Sequence, residues 1–144
     1  MTVLLAAGDS QLRRDLSQFL GDMDHDIALS TDAGHEVLRY CEVKPPNFVV
    51  VGSGLSDMNW TELPQRLATM NCCPVIVVLE PEQYDRAKTM IGDRMTGMII
   101  TPVTSEKLRP ALYVTHRRFE QMQNLDQQIQ ELRSRVYPID AEIN

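Results

Sequence analysis

Pro46-Asn47-Phe48-Val49-Val50-Val51-Gly52-Ser53-Gly54-Leu55-Ser56-Asp57-Met58-Asn59-Trp60 is the stretch that decides the fold. Its apolar run of one phenylalanine and three β-branched valines lies between a proline pair and a Gly-Ser-Gly turn. Such a run is typical of a strand buried on both faces in the middle of a parallel sheet. In these sheets, binding sites lie at the carboxyl ends of the central strands. The loop that begins at Gly52 is therefore the first place to look for a site.

Strand-like and helix-like segments alternate on both sides of this stretch. Apolar runs at residues 2–7, 27–30, 74–79 and 98–100 have the length of strands, and helical spacing of apolar residues follows the first four of the five runs. Asp9 or Ser10 is available as the N-cap of the first helix. This alternation predicts an α/β fold, a flavodoxin-like doubly wound sheet of five parallel strands in the order 2-1-3-4-5.

The pattern changes after Thr104 to one long helix, predicted from Ser105 to about Val136. Pro110 is expected to bend it or reset its start, and Tyr137-Pro138 to end it. Apolar residues recur along its distal half, the last four at a 4-3-4 spacing: Phe119, Met122, Leu125, Ile129, Leu132 and Val136. This spacing predicts a coiled-coil seam and a homodimer. The expected organisation is an α/β domain at residues 1–115, a coiled-coil extension at 116–137 and a disordered tail at 138–144.

Composition limits the classes of function. At 144 residues and 43% hydrophobic, the chain has room for one well-filled core. The net charge of −6 falls on residues 1–103, and residues 104–144 are balanced, so neither part has the basic excess that direct nucleic-acid binding needs. No apolar run reaches the length of a membrane span and no basic signal segment opens the chain, which predicts a cytoplasmic protein.

Three cysteines, Cys41, Cys72 and Cys73, lack the spacing of metal ligands. They are interpreted as reduced thiols, and no metal or cofactor is expected.

Several of these segments together resemble response-regulator receiver domains, over about residues 2 to 115. The resemblance lies in Leu4-Leu5-Ala6-Ala7-Gly8-Asp9-Ser10, the central stretch, Pro74-Val75-Ile76-Val77-Val78-Leu79-Glu80 and Gly97-Met98-Ile99-Ile100-Thr101-Pro102-Val103. It implies a module that accepts a phosphoryl group on an aspartate, using magnesium held by an acidic pair, a lysine and a Thr or Ser switch.

The same resemblance places other residues at each of those chemical positions. Gly52 stands at the phosphorylated aspartate, Ala7 and Gly8 at the acidic pair with Asp9 one place later, Leu79 at the switch, and Thr101 at the lysine. A glycine cannot accept a phosphoryl group, and a single carboxylate is a poor magnesium site. The chain is therefore interpreted as a degenerate receiver, or pseudo-receiver, that is not an enzyme.

Three residues beside this pocket, which is expected to be vacant, form a candidate partner surface: Ser53, Asp57 and Trp60. The alternative for Trp60 is a packing role. His35 is interpreted as a surface residue of the second helix. A third function remains open, that of a flavodoxin-like protein binding a small ligand, although Gly8-Asp9-Ser10 is short and carries an acid that would repel phosphate.

The C-terminal helix resembles the linker of amidase- and nitrate-operon antiterminators, the ANTAR regulators. The resemblance rests on Leu108-Arg109-Pro110-Ala111-Leu112, Arg117-Arg118-Phe119 and the Gln-rich helix that follows. It implies dimerisation through this helix and a role in transcription antitermination. Too few residues follow Val136 for RNA-binding helices, so the expected mode of action is contact with a regulatory protein. The alternative is the N-terminal part, or a shortened relative, of an RNA-binding antiterminator.

Overall fold

The computed structural model describes residues 1–90 and 96–143, with the backbone alone at residues 89, 90, 96 and 136–143. Five strands alternate with five helices. The strands are β1 (Thr2–Ala6), β2 (Asp26–Thr31), β3 (Phe48–Val51), β4 (Val75–Leu79) and β5 (Thr96–Ile100). The helices are α1 (Ser10–Asp22), α2 (Gly34–Val43), α3 (Glu62–Met70), α4 (Tyr84–Met90, preceded by a 3-10 turn at Pro81–Gln83) and α5 (Ser105–Ile143).

All four strand pairings are parallel, and the strand order is β2-β1-β3-β4-β5. The predicted doubly wound, flavodoxin-like sheet is confirmed. Its central strand β3 pairs with β1 on one side and with β4 on the other. The loops that leave β1, β3 and β4 therefore emerge together at the carboxyl edge of the sheet, where the site was expected.

The sheet separates two apolar clusters, as the continuous valine run predicts. Val49 and Val51 pack with residues of α2, α3 and α4, whereas Phe48 and Val50 pack with residues of α1 and α5. Successive side chains of a strand point to opposite faces, so a strand apolar on both faces needs a helical layer on each.

Helix α5 is continuous from Ser105 to Ile143, about 58 Å at 1.5 Å per residue. Its first part is anchored on the sheet by the buried side chains of Leu108, Leu112 and Thr115. The expectations that Pro110 would reset the start of the helix and that Tyr137-Pro138 would end it were wrong, and a bend at Pro110 stays a prediction. A proline removes one backbone hydrogen bond and its ring crowds the carbonyl four residues earlier, but α5 continues through both prolines. Within the described part of the chain, no helix has the length and hydropathy of a membrane span.

Candidate functional site

Two loops meet at the carboxyl edge of the sheet, one following β1 and the other following β3. The Gly8 amide donates to the Ser53 carbonyl at 2.9 Å, and the Gly52 amide donates to the Ala6 carbonyl at 2.8 Å. Gly54 adopts a positive φ of 82°, a conformation that favours glycine, and its backbone lies directly against Gly8. The backbones of the two loops are therefore in direct contact at this edge.

Gly52, which the resemblance places at the phosphoryl acceptor, has no room for a side chain without movement of its neighbours. A Cβ built there would lie 2.9 Å from the Ala7 Cβ and 3.1 Å from the Leu12 Cδ2. These two apolar side chains lie directly beside the place where an acceptor side chain would begin. The vacant pocket stays a prediction.

The residues at the acidic-pair position do not fit a magnesium ion. Ala7 is buried and offers no donor, and a Cβ at Gly8 would overlap the Gly54 carbonyl. Asp9 is used elsewhere, because its carboxylate caps α1 by accepting from the Gln11 and Leu12 amides at 2.9 and 3.3 Å. Magnesium needs near-octahedral oxygen coordination, which these three residues do not supply.

The switch and lysine positions carry groups of different chemistry. Leu79 is fully buried at the end of β4. The Thr101 hydroxyl donates to Glu80 Oε2 at 2.8 Å across the same edge. Lys107, which the sequence reading did not single out, reaches back from the first turn of α5 and donates to the Ile100 and Pro102 carbonyls at 3.1 and 3.0 Å. The position of Lys107 in the first turn of α5 could have indicated this contact, because a lysine side chain there can reach the preceding loop.

Asp57, part of the proposed partner surface, is engaged within the domain. Its carboxylate accepts from the Gly34 and His35 amides at 2.8 and 3.0 Å, and His35 Nδ1 lies 2.7 Å away. These hydrogen bonds, led by the one from the His35 amide, lower the pKa of Asp57 from 3.8 to about 2. Asp57 thus caps α2 from a distant loop, and His35 is a surface residue as expected.

Ser53 and Trp60, the other two members of that surface, make different kinds of contact. Ser53 gives its carbonyl to Gly8. Trp60 is partly buried and packs against the cluster of α2 and α3. A packing role thus accounts for part of the Trp60 side chain, and its binding role stays a prediction.

Asp57→Ala is expected to lower the melting temperature by a few degrees at neutral pH, because α2 loses its only side-chain cap among the described contacts. A carboxylate whose pKa falls on folding stabilises the fold above its unfolded pKa, and this stabilisation disappears as the pH falls from about 4 towards 2. Melting curves over that range should show a smaller loss of stability for the variant than for the wild type. Asp57→Asn is the matched control, because it keeps an acceptor oxygen and cannot titrate. If the wild type and Asp57→Asn lost stability in parallel, the cap would carry no ionic component.

The three cysteines come together, contrary to the expectation from their spacing. Cys41 lies in α2, and Cys72 and Cys73 follow the end of α3, yet the three Sγ atoms all lie within 4.8 Å of one another. Hydrogen bonds from Cys41 and then Cys73 lower the pKa of the half-buried Cys72 thiol, whereas those with Cys72 and burial raise the pKa of Cys41. Their sequence separation of about thirty residues hid this cluster.

The predicted coiled-coil seam lies largely in solvent within one chain. Leu125, Ile129 and Leu132 are 50%, 48% and 59% exposed. Phe119 and Met122, nearer the domain, are half-buried. The Val136 side chain lies outside the described residues. A row of large apolar side chains on a helix that has left its domain is a surface in need of a partner.

The sequence has weak similarity to known regulatory proteins. No protein-family model matches the chain. Over 134 residues the chain is 20% identical to the transcriptional regulatory protein PdtaR of Mycobacterium tuberculosis, in each of two strains (CDC 1551 / Oshkosh and H37Rv). The match covers 93% of this chain and 65% of the relative, so the chain spans about two thirds of the length of the curated relatives it matches.

Solved structures of low identity share the architecture. The receiver domain of a modulated diguanylate cyclase from Desulfovibrio desulfuricans G20 is 21% identical, with a TM-score of 0.68 over 83% of this chain and 97% of that one. A CheY-like receiver from Methanospirillum hungatei JF-1 is 18% identical, with a TM-score of 0.68 over 84% and 97%. A trimeric coiled coil of yeast Spc42 fused to another structure is 12% identical, with a TM-score of 0.73 over 99% and 91%. The chain therefore has the receiver-domain fold.

Proposed function

We propose that this chain is a pseudo-receiver, a receiver-fold signalling module that is not phosphorylated and acts by protein contact as a homodimer. The names of its relatives and structural neighbours are those of response regulators, transcription regulators and their receiver domains, which supports a role in two-component-type signalling. The module is proposed to have no enzymatic activity of its own.

The observation that carries the proposal is the closed edge of the sheet. Phosphoryl transfer to a receiver needs an acceptor carboxylate and a metal whose charge offsets that of the phosphoryl oxygens. The acceptor position is Gly52, enclosed by Ala7 and Leu12, and the metal position is backbone of Gly8 against Gly54. The contacts of Gly52 leave no acceptor carboxylate, and the contact of Gly8 with Gly54 leaves no metal ligand. Either change alone would prevent phosphoryl transfer.

Dimerisation is the proposed output, and it rests on α5. Leu125, Ile129 and Leu132 are about half exposed on the distal helix. An isolated helix is marginal in water, so burial of this row against a second copy would stabilise it. A solved structure that includes a trimeric coiled coil matches 99% of this chain, which supports association through the helix but not a particular number of copies.

Transcription antitermination is the proposed context, and the similarity to PdtaR, a transcriptional regulatory protein, supports it. A second candidate follows from the coverage. Because the chain spans 65% of that relative, it could correspond to the N-terminal part of a longer, RNA-binding antiterminator. In this candidate the RNA-binding helices lie outside the present sequence, and an in-frame continuation of the gene past Asn144 that encodes them would favour it. Retention of a regulatory protein by the purified chain would favour the first candidate.

Incubation with acetyl phosphate and magnesium, or with beryllofluoride and magnesium, is expected to change neither the mass, the Trp60 fluorescence nor the oligomeric state. The reason is that Gly52 offers no acceptor and Ala7 and Gly8 offer no metal ligand. Intact-mass spectrometry, fluorescence and sedimentation measure the three properties. A receiver with its aspartate in place, treated in parallel, is the positive control.

Gly52→Asp is the matched variant for this experiment. It is expected to remain unmodified, because the metal and lysine positions stay empty of suitable groups and the new side chain meets Ala7 and Leu12. A stoichiometric phosphoryl adduct on the wild type, at Asp9, Asp57 or elsewhere, would contradict the proposal.

A further inference from the structure

The three-cysteine cluster has the dimensions of a metal site. Cys72 Sγ and Cys73 Sγ are 3.7 Å apart, and Cys41 Sγ lies within 4.8 Å of both. Thiolates bind thiophilic metals at about 2.3 Å. Three sulfur atoms around one such ion are therefore about 3.8 to 4.0 Å apart, for tetrahedral or trigonal geometry respectively. The observed Sγ–Sγ separations would need to change by about 1 Å or less to surround such an ion.

The backbone explains how three distant thiols converge. α3 ends at Met70, and the left-handed conformation of its C-cap Asn71 (φ 55°, ψ 37°) turns the chain back towards α2. The two residues that follow face the last turn of α2, where Cys41 is buried. Cys73 is fully buried, and Cys72 is only half-buried, which leaves a route from solvent. The cluster is thus held by α2 and by the segment after α3, and it is open to solvent at Cys72.

We propose that Cys41, Cys72 and Cys73 form a three-coordinate site for monovalent copper. Among the side chains that the structure describes, in residues 1–88 and 97–135, no histidine or carboxylate joins the three thiols in this group. Zinc in proteins takes four ligands in a tetrahedron, whereas Cu(I) is selected by soft thiolate donors and forms stable trigonal complexes with three of them. Binding releases the protons of the thiols to solvent, forms three Cu–S bonds and changes no oxidation state.

This site is independent of the proposed signalling surface. It lies between α2 and the end of α3, whereas the closed phosphorylation positions lie in the loops after β1 and β3. A copper ion there would join α2 to the α3–β4 connection. The donor of the ion would be a Cu(I)–thiolate complex or a similar complex of soft ligands. The ion would pass from the donor to the three cysteines by ligand exchange.

The test is an anaerobic titration of the reduced full chain with Cu(I) held by a chromophoric chelator such as bicinchoninate. We expect the chain to remove one copper ion per molecule from the chelator and to protect all three thiols from alkylation. X-ray absorption should show three sulfur neighbours at about 2.3 Å. The alkylation count requires no variant, so it is unaffected by any folding defect.

Single substitutions assign the ligands. Cys41→Ala, Cys72→Ala and Cys73→Ala should each weaken Cu(I) binding by more than about tenfold, since loss of a ligand costs at least as much as loss of a partner that orients one. Met70→Leu is the matched control, because Met70 packs against the apolar core cluster that includes Cys41 and Cys73 and carries a thioether sulfur. It should bind copper as the wild type does.

Three results would overturn the proposal. Unchanged binding in Cys41→Ala would reduce the site to an adventitious pair of adjacent thiols. Displacement of Cu(I) by equimolar zinc would exclude copper selection. Failure to take copper from the chelator, with a Cys41–Cys72 disulfide forming under mild oxidation, would assign the cluster to thiol redox chemistry. None of these results bears on phosphorylation or dimerisation, so the two proposals fail separately.

Discussion

Gly8→Asp, which places an acid where a magnesium-binding receiver carries one, is expected to lower the free energy of unfolding by about 3 kcal/mol or more. A Cβ at Gly8 would overlap the Gly54 carbonyl oxygen and lie 2.6 and 2.9 Å from the Gly54 carbonyl carbon and Cα. These are backbone atoms, so no side-chain rotation relieves the overlap. The two loops must separate, and the hydrogen bond from the Gly8 amide to the Ser53 carbonyl is lost with them.

Urea denaturation followed by circular dichroism measures this loss, and the other glycines provide a graded control. Gly8→Ala should be nearly as harmful as Gly8→Asp, because the first carbon causes the overlap. Gly34→Ala should cost less, since its Cβ would meet only the flexible Met58 side chain. Gly21→Ala has nothing within 4 Å and lies in α1, so it should raise stability by about 0.5–1 kcal/mol. Equal midpoints for Gly8→Ala and the wild type would mean that the two loops are not in contact.

Ile129→Glu combined with Leu132→Glu is expected to convert the dimer into a monomer at tens of micromolar. Each apolar side chain that the dimer buries contributes about 1.5–3 kcal/mol before association entropy is subtracted. Two such residues in each of two chains are affected, and four new charges would face one another. Association should therefore weaken by more than about 100-fold. Sedimentation velocity measures the change, and the thermal unfolding of the α/β domain should stay the same.

Gln127→Glu combined with Gln130→Glu is the matched control for this pair. Both glutamines are exposed on the same helical segment, and their replacement adds the same charge outside the apolar row. This variant should remain a dimer. A wild-type chain that is monomeric at tens of micromolar would contradict the coiled-coil assignment. A wild-type trimer would keep the seam and contradict the two-fold arrangement.

The order of the sheet could be predicted because it depends on local patterns. The run from Phe48 to Val51 is apolar at every position, and only a strand with a helical layer on each face buries all four side chains. The cap of α1 could be narrowed to Asp9 or Ser10 because both precede the helical spacing, and the structure has Asp9. Such features need only neighbours in the chain.

The details of the site could not be predicted because they depend on which loops meet. Nothing near Asp57 in the sequence indicates that it caps a helix beginning 23 residues earlier. The contact of Gly8 with Gly54 and the approach of Cys41 to Cys72 likewise join parts of the chain that are far apart. Periodicity identifies the buried face of an element. It carries no information on the distances between the ends of different elements.

Helix α5 connects strand β5 mechanically to the distal apolar row. Its first 11 of 39 residues are held on the sheet by Leu108, Leu112 and Thr115, and farther along Gln123 Nε2 donates to the Asn71 carbonyl at 3.4 Å. The helix beyond Gln123, residues 124–143, spans about 30 Å. A Cβ at Gly97 would collide with the Thr115 hydroxyl, so strand β5 is in direct contact with the anchored part of the helix. Because the helix is continuous, a binding event that displaces β5 and tilts the anchored part would also move the distal apolar row.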